Sequence, residues 1–160
     1  MHRRILGITG ALAVTAALSW TGYQRSSQWV AVNGGACEVW RAGAASEHMT
    51  WTGDCVDGKG EGPGMLNFAT AEGLTIRYQG TMSAGKFQGA GVRSTSDGAR
   101  IEGSFDDNAF TGRVIASWRG NRFEGVFQDD VPIGTGHCRD AAANSGPCQL
   151  AENWEIVWVN

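Results

Sequence analysis

Proline is scarce in this chain, with 3 in 160 residues, which excludes both a collagen-type helix and a Pro-rich linker. Histidine is scarce too. His2, His48 and His137 are the only three, and none has a Ser, Cys or carboxylate at a recognisable catalytic spacing. The four cysteines include no Cys-x-x-Cys pair, which argues against a structural zinc site. There is no long basic run to grip anionic lipid or nucleic acid phosphate. Net charge is −3, and −5 once Arg3 and Arg4 are set aside, so nucleic acid is not an expected partner. The longest apolar stretch, Ile5 to Trp20, has sixteen residues, whereas a full membrane span needs about 20. No cysteine follows that stretch, which excludes a lipid-modified cysteine as anchor.

The short apolar stretch follows the positive head His2-Arg3-Arg4 and reads as an export segment over residues 1–23. Cleaved near Ala17-Leu18-Ser19, it is a signal peptide. Retained, with residues 21–23 added, it is a slightly short membrane-anchoring helix with its head in the cytoplasm. Both readings stay open, and both place the remainder outside the cytoplasm. The expected compartment is the periplasm of a bacterium, or the extracytoplasmic face of its inner membrane. Cysteine usage agrees, since Cys37, Cys55, Cys138 and Cys148 all lie beyond this segment, and an even count in an oxidising compartment implies disulfides. Three pairings can be drawn. Near-neighbour pairing favours Cys37–Cys55 and Cys138–Cys148, one at each end of the folded part.

Glycine is abundant: 24 of 160 residues, about double the usual share. The glycines recur in register. Tyr78-Gln79-Gly80-Thr81-Met82 is followed after 23 residues by Ile101-Glu102-Gly103-Ser104-Phe105, and after 22 more by Phe123-Glu124-Gly125-Val126-Phe127. Going back 27 residues gives Trp51-Thr52-Gly53-Asp54-Cys55. Counting the opening residue as zero, a turn-forming residue stands at +7: Gly58, Gly85, Asn108 and Asp130. A glycine stands at +11: Gly62, Gly89, Gly112 and Gly134. At +13 come Gly64, Gly91 and Gly136, with Val114 in the third unit. Residues 0, +2 and +4 share one face of a strand, so that face reads bulky, Gly, bulky, and the Gly leaves room for a ring. Cys55 is expected at such an inward +4 position. Each unit predicts one hairpin of about 23 residues. A lone hairpin is marginal in water, so the units must stack. Second turns are expected at Ser96-Asp97-Gly98 and Arg119-Gly120-Asn121, with an insertion near residues 70–73.

These units resemble the MORN repeat family, whose motif is best matched by Tyr78-Gln79-Gly80, Gly85-Lys86-Phe87-Gln88-Gly89-Ala90-Gly91 and Asp97-Gly98. The resemblance covers residues 51–136. Met82 and Cys55 stand where the family usually has Trp or Phe. The resemblance implies a single-layer row of stacked antiparallel β-hairpins acting as a scaffold or binding surface; some members of the family have been linked to membrane phospholipid. The domain plan is then residues 1–23 as export segment or anchor, 24–36 as linker, and 37–160 as the stapled all-β repeat domain. The repeat core is expected at Trp51, Gly53, Tyr78, Gly80, Ile101, Gly103, Phe105, Phe123, Gly125 and Phe127. Residues 137–148 are expected to form a disulfide-closed loop, and residues 154–158 a last strand that covers the open edge.

The carboxylate pairs Asp106-Asp107 and Asp129-Asp130 fall in the hairpin turns, where Asp suits the geometry. A flat row of hairpins gives such pairs no cleft to face each other across. Gly60 to Gly64 lacks the Lys-Ser/Thr of a phosphate loop. No catalytic residue, metal or cofactor is expected. The expected function is non-catalytic: a surface for a protein partner in the envelope, as in an accessory subunit of a membrane complex. The partner-facing residues are those alternating with the core: Gln79, Thr81, Glu102, Ser104, Glu124 and Val126. A second reading is glycan binding through exposed residues among the seven Trp. A third, a small envelope hydrolase, requires a cleft with two carboxylates or a His–carboxylate pair.

Overall fold

A computed structural model describes residues 28–41, 49–70, 73–151 and 153–159. The apolar helix expected over residues 1–23 lies outside the described residues, as does His48. No described helix is long and apolar enough to cross a membrane. The described residues form one 13-stranded sheet and a 3₁₀ turn, Asn33–Gly35. In chain order the strands are β1 (Gln28–Val32), β2 (Cys37–Arg41), β3 (Met49–Trp51), β4 (Asp54–Val56), β5 (Lys59–Ala69), β6 (Thr75–Ser83) and β7 (Lys86–Thr95). Then come β8 (Arg100–Asp106), β9 (Ala109–Trp118), β10 (Asn121–Gln128), β11 (Val131–Arg139), β12 (Ser145–Leu150) and β13 (Ile156–Trp158). From β5 to β13 every strand pairs antiparallel with its neighbours in sequence, and β3 and β4 together lie against β5.

The hairpins repeat in detail. Both central residues of each +7 turn have positive φ: Asp57 and Gly58 (48° and 73°), Ala84 and Gly85 (47° and 78°), Asp107 and Asn108 (49° and 75°), Asp129 and Asp130 (51° and 67°). That is the mirror-image turn whose twist matches the flanking strands. Behind each turn the ladder is broken at one place. Gln79 opposes Val92 and Thr81 opposes Gln88, so Gly80 alone faces residues 89–91. Gly103 faces residues 112–114 in the same way, and Gly125 faces residues 134–136. In the first unit Trp51 opposes Leu66 and Asp54 opposes Glu61, which puts Gly53 at the same place. The extra residues open with a glycine at φ near +70°, such as Gly89 at 69°, where a side chain would be strained.

The inward face carries the core: Trp51, Leu66, Phe68, Met82, Phe87, Ile101, Phe105, Phe110, Val114, Ala116, Phe123 and Phe127 are all buried. Rings run from layer to layer, with centroids 5.9 Å apart for Trp51–Phe87, 5.5 Å for Phe87–Phe105 and 4.2 Å for Phe105–Phe110. Each buried Phe contributes about 1.5–3 kcal/mol of apolar transfer. The bulky-Gly-bulky pattern is filled from within. The Trp51 ring lies over Gly53 and Gly64, and the Phe123 ring over Gly125 and Gly136. Where position 0 is the smaller Ile101, Val114 takes the place of the +13 glycine and is fully buried.

Three sequence expectations need correction. Residues 28–36 are not linker. They form β1 and the 3₁₀ turn, and the β1–β2 hairpin lies along the column of +7 turns. Trp40 donates its N–H to the Gly85 carbonyl (2.8 Å) and Glu38 to that of Gly58 (2.9 Å). Asn33 exchanges two hydrogen bonds with the Trp51 backbone, and Val32 and Val39 are buried. Cys55, expected inward, is exposed. Its +4 equivalents Met82, Phe105 and Phe127 are covered by neighbouring rings, but β4 lies at the end of the row. Residues 137–148 are not a loop. β11 continues to Arg139 and β12 returns from Ser145, in register with Cys138 opposite Gly146. The last strand is shorter than expected, because Trp154, at φ 66°, turns the chain before β13 begins.

Candidate functional site

The sheet offers two places where side chains gather without being consumed by the core: a strip on its outward face and a groove at the end of its inward face. On the outward face, neighbouring strands bring together residues distant in sequence. One row runs Arg77, Ser94, Arg100, Ser117, Arg122 and Arg139 across β6 to β11. The next row runs Gln79, Val92, Glu102, Ile115, Glu124 and His137. Arg100 pairs with Glu102 at 2.7 Å, while Glu124 pairs with both Arg113 and Arg122. Exposed ion pairs of this kind are worth about 0–1 kcal/mol each. Their effect is on the surface field: five exposed arginines (77, 100, 113, 122 and 139) face two carboxylates in an otherwise acidic chain.

Beside the arginines lies an apolar cluster. Val126 opposes Ile133 directly, and Val131 is two residues before Ile133 on the same face. They are 46 %, 42 % and 55 % exposed. Of the partner-facing residues expected from sequence, Gln79, Thr81, Glu102, Ser104 and Val126 are exposed here, while Glu124 is half-buried under its two arginines. Sequence reasoning missed the arginine row. Its signal was legible, since Arg77, Arg100 and Arg122 each directly precede the opening residue of a repeat unit.

The turn column is acidic but structurally engaged. Asp107 binds Lys86 and Gln88, and Asp130 accepts the Phe110 N–H at 2.9 Å. Cys37 is bonded to Cys55, and Cys138 to Cys148. Both pairs fit an oxidising, extracytoplasmic compartment. Among the described residues no group of three or more His, Cys, Asp or Glu is placed to hold a metal ion. Of the most exposed Trp residues, Trp29 has Lys59 Nζ over its ring at 3.4 Å and meets Trp40 edge to face, and Trp158 is as exposed as Trp29.

The groove has a volume of about 430 Å³ and lies at the opposite end of the hairpins, under the segment that carries Asn153, Trp154 and Glu155. Trp118 and Trp154 meet edge to face at 5.5 Å in its wall. Arg93 and Arg119 supply positive charge, Asp97 and Glu155 negative. The Thr95 hydroxyl hydrogen bond, then the Ala99 N–H, hold the Asp97 carboxyl below its ordinary pKa, with help from the Arg119 charge. No protein-family model matches the chain, and no curated protein matches it in sequence.

Proposed function

We infer that the chain is a non-catalytic envelope protein of the MORN repeat type that docks a protein partner through the outward face of β9 to β11. The observation that carries this reading is the cluster of Val126, Val131 and Ile133, exposed together between the turn and the bulge of β10 and β11 and bordered by Arg113, Arg122 and Arg139. Exposed apolar groups that cluster mark interaction sites, and arginine is enriched at protein interfaces. The charge border selects the partner's chemistry: an apolar patch ringed by carboxylates. The MORN assignment is supported by the four-fold recurrence of turn, facing glycine and bulge. Location outside the cytoplasm is supported by the two disulfides. Placement in the periplasm or on the inner membrane's outer face, with residues 1–23 as signal or anchor, belongs to the same proposal.

The test is quantitative co-purification from intact membranes, comparing the wild type with Val126→Glu/Ile133→Glu and with a control substitution, Ser104→Glu, elsewhere on that face. A stoichiometric protein retained by the wild type and the control but lost from the double variant supports the reading. Equal recovery with all three, or a wild type that recovers only its own chain as a dimer, overturns it.

A further inference from the structure

The repeat contains one residue that breaks its own rule. The residue opposite each unit's opening position points inward: Leu66 opposite Trp51, Ala116 opposite Ile101 and Cys138 opposite Phe123. These three are 4 %, 0 % and 0 % exposed. In the second unit the same place, opposite Tyr78, is held by Arg93. A charge at a core position is costly unless it is paired. Among the described residues Arg93 has no carboxylate partner; its guanidinium carbon lies 5.7 Å from the centre of the Phe110 ring. It lines the groove and is half-buried there.

The two carboxylates of the groove are engaged. Asp97 accepts from Thr95 and Ala99, with Arg119 as its nearby cation. Glu155 is bound to Asn153 at 3.3 Å. Neither the Arg93 nor the Arg119 side chain has an ion pair or hydrogen bond among the described residues, and Arg93, half-buried at a core position, is the one that gains most from an anion from outside. The rest of the wall describes the remainder of that ligand. Trp118 and Trp154 present ring surface, and neither indole N–H has an acceptor among the described residues. The wall is otherwise rich in hydroxyl, amide and carboxylate groups, which suits a ligand with many hydroxyls better than a flat apolar one. A volume of about 430 Å³ lies toward the lower end of small-ligand sites, about 300–1,000 Å³.

We propose that this groove binds an acidic sugar residue of a polysaccharide, its carboxylate on the Arg93 guanidinium and its ring against Trp154 and Trp118. Arginine binds a carboxylate through two parallel N–H donors, and the sugar's hydroxyls have Asp97, Glu155 and the indole N–H groups within the same wall. The groove is walled by inward residues such as Arg93 and Ile101, reaches the outward row only at Ser117 and shares no residue with Val126, Val131 and Ile133, so it stands or falls independently of the protein-docking proposal.

The test uses the purified full-length chain and Trp fluorescence with calorimetry. The probes are oligomers of galacturonate, glucuronate and mannuronate, the neutral oligomers maltotriose and cellotriose, and sodium acetate. At least one uronate oligomer should bind at least tenfold more tightly than the neutral oligomers and acetate. Arg93→Leu, which restores the repeat rule, should lose at least tenfold in that affinity while keeping or raising its thermal midpoint. Trp154→Ala should weaken binding and remove most of the fluorescence response. Failure of all three uronates, equal binding of neutral oligomers or acetate, or full binding by Arg93→Leu would each overturn the proposal.

Discussion

Asn108 and Phe87 are bonded in both directions. The Phe87 N–H donates to Asn108 Oδ1 at 2.7 Å, and the Asn108 N–H donates to the Phe87 carbonyl at 3.1 Å. Asp130 and Phe110 repeat the arrangement one unit later, at 2.9 and 3.1 Å. A turn residue chosen for its positive φ thus also closes the hairpin before it. Gly85, which has no side chain, supplies only the backbone half, to the Gly60 carbonyl.

Asn108→Ala should therefore lose both the acceptor for a part-buried N–H and the comfort of φ 75°. The expected cost is about 1–3 kcal/mol, read from chemical denaturation. Asn108→Gly keeps the backbone and loses only the side-chain bonds, the acceptor for Phe87 and the 3.4 Å donation to the Trp40 carbonyl, so it should fall between wild type and Ala. Equal stability of all three would remove the two-way bond from the account.

The glycines facing the bulges should differ from those at the turn tips. A Cβ on Gly103 would sit 2.8 Å from Val114 Cγ2 and 3.2 Å from the Arg113 carbonyl, so Gly103→Ala should cost about 1–3 kcal/mol through overpacking. Gly98 has open space around it but a φ of 90°, so its alanine variant suffers backbone strain alone. The Gly103→Ala/Val114→Ala double variant should recover part of the loss relative to the sum of the single changes. A strictly additive result in thermal melts would contradict the packing explanation.

The two disulfides should reduce in order. Cys55 is exposed, while Cys138 and Cys148 are each 0 % exposed. Thiol exchange needs access to a sulfur. Limited dithiothreitol with iodoacetamide trapping should label Cys37 and Cys55 first, while the native fluorescence persists. Replacing Cys138 and Cys148 by alanine should cost about 2–5 kcal/mol. Early labelling at Cys138 would contradict the burial argument.

Asp97 and Asp140 predict the acid limb of the stability curve. Both carboxyls titrate below the ordinary value of 3.8: Asp97 through the Thr95 hydroxyl and then the Ala99 N–H, Asp140 through the Asn144 side chain and then backbone N–H groups. A depressed native pKa stabilises above the unfolded value and is lost as pH falls through the native one. The contribution should thus be complete above about pH 4 and fade below it. Asp97→Asn/Asp140→Asn should show a shallower fall in midpoint from pH 4 to 2 than the wild type. An identical slope would rule out these two groups as its source.

The hairpin row was legible because its determinants are local. Tyr78, Ile101 and Phe123 open units of nearly constant length, and each is followed at +7 by a residue that tolerates positive φ. What the chain hides is what the rows assemble across strands. Trp29 and Val32 read as part of a linker because the hairpin they form with Trp40 and Cys37 docks on turn backbones such as that of Gly85, distant in sequence and without a hydrophobic pattern of their own. Cys55 holds an inward position by sequence, but in the end unit no ring covers it and it is tied to Cys37 instead. Arg93 looks ordinary within Val92-Arg93-Ser94-Thr95; it becomes anomalous only beside Leu66, Ala116 and Cys138. The pairing of Glu124 with His137 depends on the bulge, which shifts the partner by two residues.

The reciprocal bonds between successive turns give the row a direction of assembly. A chain that enters its compartment from the N-terminus completes a hairpin whose +9 N–H, such as that of Phe87, waits for the side chain of a turn about twenty residues further on. Phe110 in turn waits for the Asp130 side chain, and the series ends at Pro132, the +9 residue of the last unit, which has no N–H to offer. A premature stop within the row would leave such a donor bare at the growing end, a ready mark of an unfinished molecule for quality-control proteases.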